Sequence, residues 1–196
     1  METLCNSTQL LVTEYIKNLK YSLDNLNPDQ VDRIVEILWS AYLDDKQVFI
    51  MGNGGSASTA SHFACDLGKG TVVNGRKRLR VLSLNDNMAI ITALSNDLNY
   101  DAIFKEQLIN LVAPGDVVIA ITASGNSPNI LKAVEYARKR GAITVALTGF
   151  NGGELASMTN DCIIVFSKDY GQIEDTHLVL GHMISQNMKH RLASGN

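Results

Sequence analysis

The first 45 residues repeat their apolar positions at helical spacing. Val12, Ile16, Leu19, Leu23 and Leu26 stand 4, 3, 4 and 3 residues apart, the seam of a heptad on a helix of about five turns. Asn27-Pro28-Asp29 ends that helix and caps the next, with proline in the first turn, where its missing N–H costs nothing. The second helix carries Val31, Ile34, Val35, Leu38 and Tyr42 on one face. Two helices with no strand cannot bury both stripes on each other alone. They are expected to pack on the domain that follows, on another subunit, or on both. The chain therefore divides into a helical pair over 1–45, committed to self-association, and a single domain over 46–196.

From residue 47 the period changes. Gln47–Met51 (QVFIM), Arg80–Leu84 (RVLSL), Asp116–Ile121 (DVVIAI), Ile143–Leu147 (ITVAL) and Cys162–Phe166 (CIIVF) are short, β-branched and nearly continuous apolar runs. Runs of this kind are strands covered on both faces. Helical patterns separate most of them, roughly at 56–67, 87–95 with 101–112, and 128–140; a shorter piece covers 152–158, and 172–191 forms a closing helix. Strand–helix alternation predicts an α/β fold: three layers around a five-stranded parallel sheet with right-handed crossovers, preceded by the two N-terminal helices.

Composition narrows the class without naming an activity. Apolar residues make up 45% of the 196 positions and charged residues 19%, which excludes a disordered chain and suits one domain with a substantial core. Aromatics are only 6% and glycines number 15, so the core is aliphatic and tight turns are plentiful. The net charge of −3 argues against sequence-independent nucleic-acid binding, which runs on lysine and arginine contacts to phosphates. No apolar run approaches the ~18 residues of a membrane span, and METLCNSTQL lacks the basic-then-apolar order of a signal peptide. Cys5, Cys65 and Cys162 show no metal-type spacing, and a reducing cytoplasm is the simplest reading. The basic run Arg76, Lys77, Arg78 and Arg80 reads as a solvated loop before a strand.

Ligands of open parallel sheets bind beyond the carboxyl ends of the strands, and two turns there carry unusual chemistry. Gly52-Asn53-Gly54-Gly55-Ser56-Ala57-Ser58 follows the first strand and opens a helix; Thr122-Ala123-Ser124-Gly125-Asn126-Ser127 follows the third and does the same. Each offers backbone N–H groups at a helix N-terminus, where the dipole favours an anion, together with hydroxyl donors. An acidic protein can thus hold a phosphate with few cationic side chains. Gly52-x-Gly54-x-x-Ala57 also matches the dinucleotide fingerprint, but that motif expects an acid about 20 residues on, where the chain reads Arg76-Lys77-Arg78. The Walker pattern is absent, since Gly68-Lys69 lacks the earlier glycine. Two sharp connections and nothing more is the bland alternative, weakened by serines recurring at matching strand ends.

His62 and Asp66 lie four apart, on one helix face and one turn from each other, in reach of a shared metal or substrate. Taken alone, the pair reads more simply as a packed or capping histidine beside a solvated aspartate. On the closing helix, His177 falls on the stripe Ile173, His177, Leu180, Ile184 and is expected to be packed. Glu174 and His182 stand eight apart, about 12 Å along an ideal helix, too far to share one ion directly. A distorted helix start, separate duties within one site, or a site shared between subunits would each account for them.

The segments GNGGSAS…HFACDL and TASGNS, with IEDTHLVLGH near the C-terminus, resemble the SIS (sugar isomerase) domain family, and within it the phosphoheptose isomerase branch. The likeness runs over nearly the whole chain and implies a flavodoxin-like sheet, a cytoplasmic homotetramer and a sugar 7-phosphate as substrate. It implies that His62, Asp66, Glu174 and His182 are zinc ligands, with Asp66 and His182 as the catalytic acid/base pair. It also implies that Asn53, Gly54, Gly55, Ser56, Asp66, Asn96, Asp97, Thr122, Ala123, Ser124, Ser127 and Glu174 line the substrate, with Asn96-Asp97 in a loop after a helix. Two residues depart from the family pattern. Asp66 stands where the family has glutamate, one carbon–carbon bond or about 1.5 Å shorter in reach, and Glu174 replaces a neutral glutamine. The implied reaction is aldose–ketose interconversion through an enediol. The resemblance also admits a non-catalytic adaptor of the replication-initiator-associating type, and an isomerase of another phosphosugar.

Overall fold

A computed structural model describes residues 2–195, with side chains from residue 7 onward; Met1, Asn196 and the side chain of Cys5 lie outside the described residues. The chain opens with helices α1 (Glu2–Asp24) and α2 (Pro28–Leu43). Then follow β1 (Gln47–Gly52), α3 (Gly55–Cys65) running on into one π-helical turn (Asp66–Gly70), and β2 (Arg80–Ser83). Next come α4 (Met88–Asp97), a 3-10 turn (Tyr100–Ala102), α5 (Ile103–Leu111), β3 (Val117–Thr122) and α6 (Pro128–Lys139). The chain closes with β4 (Ile143–Gly149), α7 (Leu155–Met158), β5 (Asp161–Val165) and α8 (Tyr170–Ser194).

The five strands form one parallel sheet in the order β2-β1-β3-β4-β5. In-register pairs include Val48↔Val117, Gly52↔Ile121 and Thr122↔Thr148. Alternation along each strand feeds two cores. Val48, Ile50, Val117, Ile119 and Ile121 pack with α2, α3 and α8 on one face, while Phe49, Met51, Val118 and Ala120 pack with α5, α6 and α7 on the other. This is the expected three-layer α/β sandwich.

Local chemistry explains where the elements differ from their sequence-based bounds. Leu26 lies past the end of α1, so the heptad seam loses its last member. The helix expected over 152–158 shrinks to α7 because Gly152 and Gly153 take φ of +86° and +56°, values no right-handed helix contains. The closing helix starts at Tyr170, where the Asp169 carboxylate caps the Gln172 N–H at 3.0 Å. Asn96 and Asp97 do not follow a helix: they are the last two residues of α4.

The two N-terminal helices behave differently. Asn27 caps α2, accepting from Asp29 N at 2.9 Å, and α2 buries Ile34, Val35 and Leu38 in the core shared with α3 and α8. Burial of a side chain such as Leu38 contributes roughly 1.5–3 kcal/mol. By contrast, Leu11, Val12 and Ile16 of α1 remain 66%, 53% and 60% exposed. The contact of α1 with α8 includes a hydrogen bond from Tyr15 Oη to Asp175 Oδ2 at 2.6 Å. That bond, with smaller contributions from burial and from the charge of Asp175, pushes the phenol up to about 12.

His177 is packed, as its stripe predicts, and fully buried. Its Nε2 lies 3.0 Å from the Thr148 carbonyl, so Nε2–H donates and the neutral ring leaves Nδ1 as a buried, unpartnered acceptor. Burial lowers the imidazole to about 4 against the opposing effect of that hydrogen bond. The folded value lies below the unfolded one, so between them the unfolded chain binds the extra proton. The stabilisation from the neutral ring is complete above about pH 6.5 and is lost as pH falls toward 4, on the order of 3 kcal/mol in all. Urea unfolding at pH 7, 5.5 and 4 is expected to show this decline, and His177→Gln to flatten it. An equal pH slope in the two proteins would place the titrating group elsewhere.

Candidate active site

Strands β1 and β3 are neighbours, yet β2 lies on the far side of β1, so the strand order changes direction between them. A crevice opens at such a switch point, and the two glycine- and serine-rich turns leave these two strands. Gly54 precedes α3 with φ +56°, a backbone conformation glycine adopts freely. Gly125 has φ +66°, and a Cβ there would lie 2.0 Å from the Gly152 carbonyl oxygen. Its own carbonyl accepts from Leu155 N at 3.0 Å, and Asn126 Oδ1 accepts from Glu154 N at 2.9 Å. The second turn is therefore clamped to the loop before α7.

Helices α2, α4 and α8 have their first turns closed by side chains of Asn27, Asn87 and Asp169. The helices at the two turns do not: neither Gly54 nor Ser127 supplies a side-chain cap. At α3 this leaves first-turn N–H groups for an anion, whereas at α6 Pro128 has no N–H and Ile130 N already donates to Ser127 O and Asn129 Oδ1. Ser56, Thr122 and Ala123 are buried beneath the turns, while Ser124 and Ser127 are half-buried.

Side chains not singled out by the sequence pattern hold the first turn in place. Asn85 extends the sheet pairing past β2, accepting from Gly52 N at 3.1 Å and donating to Gly52 O at 2.9 Å. Asn53 exchanges amide hydrogen bonds with Asn129, and Tyr100 Oη donates to Asn53 Oδ1 at 2.8 Å. Asparagines just past strand ends were the only available signal, and nothing local says which atoms they meet. Asn96 and Asp97 are exposed, and Asn96 donates to Asp97 Oδ1 at 2.9 Å. Among the described residues neither is bonded to a turn, although Tyr100, three residues on, reaches Asn53.

The titratable groups gather on α3 and α8. Gly181 lets these helices approach closely: a Cβ there would already touch the Phe63 ring at 3.4 Å. The next residue on α8 and the preceding one on α3 then meet, with His182 Nε2 3.0 Å from His62 Nε2. Asp66 Oδ2 lies 3.3 Å from His62 Nε2 and 3.6 Å from His182 Nε2. Asp66 opens the π-helical turn, a distortion frequent at functional sites. One atom from each of His62, Asp66 and His182 lies within 4.8 Å of the others, a group able to hold a metal ion. The side chains are 49%, 28% and 44% exposed, so the group opens to solvent.

Glu174 does not join this group in the same chain. Its carboxylate rests against Gly55, where a Cβ would lie 2.5 Å from Oε2. That places a negative charge at the positive end of the α3 dipole. Glu174 and His182 stand eight positions apart on regular α8, and because the helix start is undistorted the two ends keep their distance.

Comparison with known proteins places this geometry. The SIS domain matches residues 13–149. A phosphoheptose isomerase from Mycobacterium tuberculosis is 40% identical over 161 residues, covering 82% of this chain and 80% of that protein. One from Aquifex aeolicus is 37% identical over 168 residues, 86% of this chain and 87% of that one. The solved phosphoheptose isomerase of Neisseria gonorrhoeae superposes with a TM-score of 0.86 at 27% identity, over 95% of this chain and 99% of that one. With its 2-1-3-4-5 sheet and paired turns, the chain belongs to the SIS domain family and, within it, to the phosphoheptose isomerases.

Proposed function

We propose that this protein is an aldose–ketose isomerase that interconverts D-sedoheptulose 7-phosphate and D-glycero-D-manno-heptose 7-phosphate through an enediol. The observation that carries this reading is the meeting of His62 and Asp66, on the helical run that starts at the first glycine-rich turn, with His182 of α8. Gly55 and His62 are seven residues apart, about 10 Å along α3. A seven-carbon chain with a terminal phosphate, at ~1.5 Å per bond and foreshortened by its zigzag, spans a similar length. The backbone N–H groups of both turns, with Ser56, Ser124 and Ser127, hold the phosphate and orient the chain. Asn53, Gly54, Gly55, Thr122 and Ala123 shape the same end, and Asn96 and Asp97 are assigned to the sugar hydroxyls by family likeness alone.

Asp66 removes the proton from the carbon next to the carbonyl and returns it to the neighbouring carbon. His182 moves the balancing proton between the two oxygens. The donor set suits zinc: nitrogens at 2.0–2.1 Å on a tetrahedron stand roughly 3.4 Å apart, and the three ligand atoms here lie 3.0, 3.3 and 3.6 Å apart. Three protein ligands leave a fourth position open, the pattern of catalytic sites. When bound, zinc polarises the carbonyl and stabilises developing enediolate charge. Glu174, held at Gly55 in its own chain, joins a ligand set only from another copy. The exposed seam residues Val12 and Ile16, with Leu11 beside them, support assembly, read here as a homotetramer, and free Cys65 and Cys162 suit a cytoplasmic setting.

The deciding experiment follows deuterium incorporation at C1 of sedoheptulose 7-phosphate in D2O by NMR. Exchange is expected, is abolished by chelation and is restored by zinc; Asp66→Asn is expected to slow it by about 10²- to 10⁴-fold. Absence of exchange with and without zinc would refute the isomerase reading in favour of a non-catalytic adaptor. Undiminished exchange in Asp66→Asn would move the base elsewhere. Light scattering after size exclusion is expected to give four chains per particle, and Ile16→Asp to shift the distribution to smaller species; an unchanged mass would take α1 out of the assembly.

A further inference from the structure

The amide of Asn53 is constrained on all sides but one, and the constraint starts from a backbone N–H on the other turn's helix. Ile130 N, in the first turn of α6, shares its hydrogen between the Ser127 carbonyl and a side-chain atom of Asn129, each at 3.0 Å. A backbone N–H only donates, so that atom is Oδ1 and the other is Nδ2. Asn129 Oδ1 therefore also accepts from Asn53 Nδ2 at 2.9 Å, and Asn129 Nδ2 donates to Asn53 Oδ1 at 2.8 Å. With Asn53 Oδ1 assigned, Tyr100 Oη must donate to it, at 2.8 Å. Every proton direction in this network follows from the first.

Two consequences bear on ligand binding. Asn53 Oδ1 has both acceptor positions taken, by Asn129 and Tyr100, and one Nδ2 hydrogen is taken by Asn129. Asn53 is left with a single free N–H, so it is a donor only, fit for a phosphate or hydroxyl oxygen. Flipping its amide would oppose oxygen to oxygen and nitrogen to nitrogen across the pair. The pair also joins the first turn directly to the helix opened by the second. Asn129 is 1% exposed while Asn53 is half-buried, so the lock lies beneath the turn and is not itself available to a ligand.

We propose that Asn129 is a positioning residue: it holds the Asn53 amide as a hydrogen-bond donor and couples the two turns into one rigid anion-binding cradle. This rests on the reading of the first turn as a sugar-phosphate site. Because Asn129 acts through Asn53, its removal matters only while Asn53 is present.

The test is a double-mutant cycle of Asn53→Ala and Asn129→Ala, reading the Kd of sedoheptulose 7-phosphate by calorimetry and Tm alongside. Asn129→Ala is expected to weaken binding about 5- to 10-fold in the native background and less than about 2-fold in Asn53→Ala. Tm is expected to fall more in the native background than in Asn53→Ala, where both Asn53–Asn129 hydrogen bonds are already absent. Equal weakening of binding in the two backgrounds would reduce Asn129 to a packing role and overturn the proposal, as would unchanged binding in Asn129→Ala. Asn53→Ala with native affinity would instead overturn the reading of the first turn itself. Should Asn129→Ala fail to fold, Tyr100→Phe at a half-exposed ring removes one bond of the same lock and enters the same cycle. There, weaker binding confined to the Asn53-containing background supports the lock, and equal effects in both backgrounds refute it.

Discussion

The parallel pairing of β1 with β3 is the constraint from which the candidate site follows. In-register pairing of Gly52 with Ile121 brings both strands to their carboxyl ends at one level. The turns that follow, Asn53–Ser58 and Ala123–Ser127, must then emerge side by side. Each begins a helix directed away from the crevice, so two positive dipole ends converge there. On the proposed reading, this is how a chain of net charge −3 holds a phosphate without a cluster of lysines or arginines. Asn85 and the Asn53–Asn129 pair keep the turns from relaxing apart, and the Gly152–Gly153 loop does the same for the second turn.

The second half of the site depends on how closely two helices pack. α3 leaves the first turn and carries His62 and Asp66; α8 returns across it with His182. A Cβ at 181 would already touch the Phe63 ring at 3.4 Å, so a larger side chain would press the helices apart, and with glycine there the imidazoles come to 3.0 Å. The same closeness brings the Asp66 carboxylate, one methylene shorter than a glutamate, to 3.3 and 3.6 Å from the two rings. The second departure from the family pattern has a different physical meaning. Glu174 carries a charge at the α3 N-terminus, next to Gly55, where a glutamine would be neutral.

Much of the architecture was legible in the chain. The five apolar runs, the helical stretches between them, the packed His177 and the two phosphate-type turns all follow from local pattern, because strand burial, helix period and turn chemistry are properties of neighbouring residues. The errors were also local in origin. Asn96 and Asp97 were expected in a loop, but the helical run before them continues through both; the segment at 152–158 has a helical composition that two left-handed glycines interrupt.

Sequence by itself determined the fold class, the positions of both turns, and the one-turn spacing of His62 and Asp66, since each is encoded within a few residues. Only tertiary structure decided which of the titratable groups meet. His182 lies 120 positions from His62 yet reaches it, while Glu174, on the same helix as His182, stays at Gly55. The coupling of Asn53 to Asn129, 76 residues away, is likewise a product of strand order. Long-range contacts depend on how layers pack, and no local pattern along the chain specifies that packing.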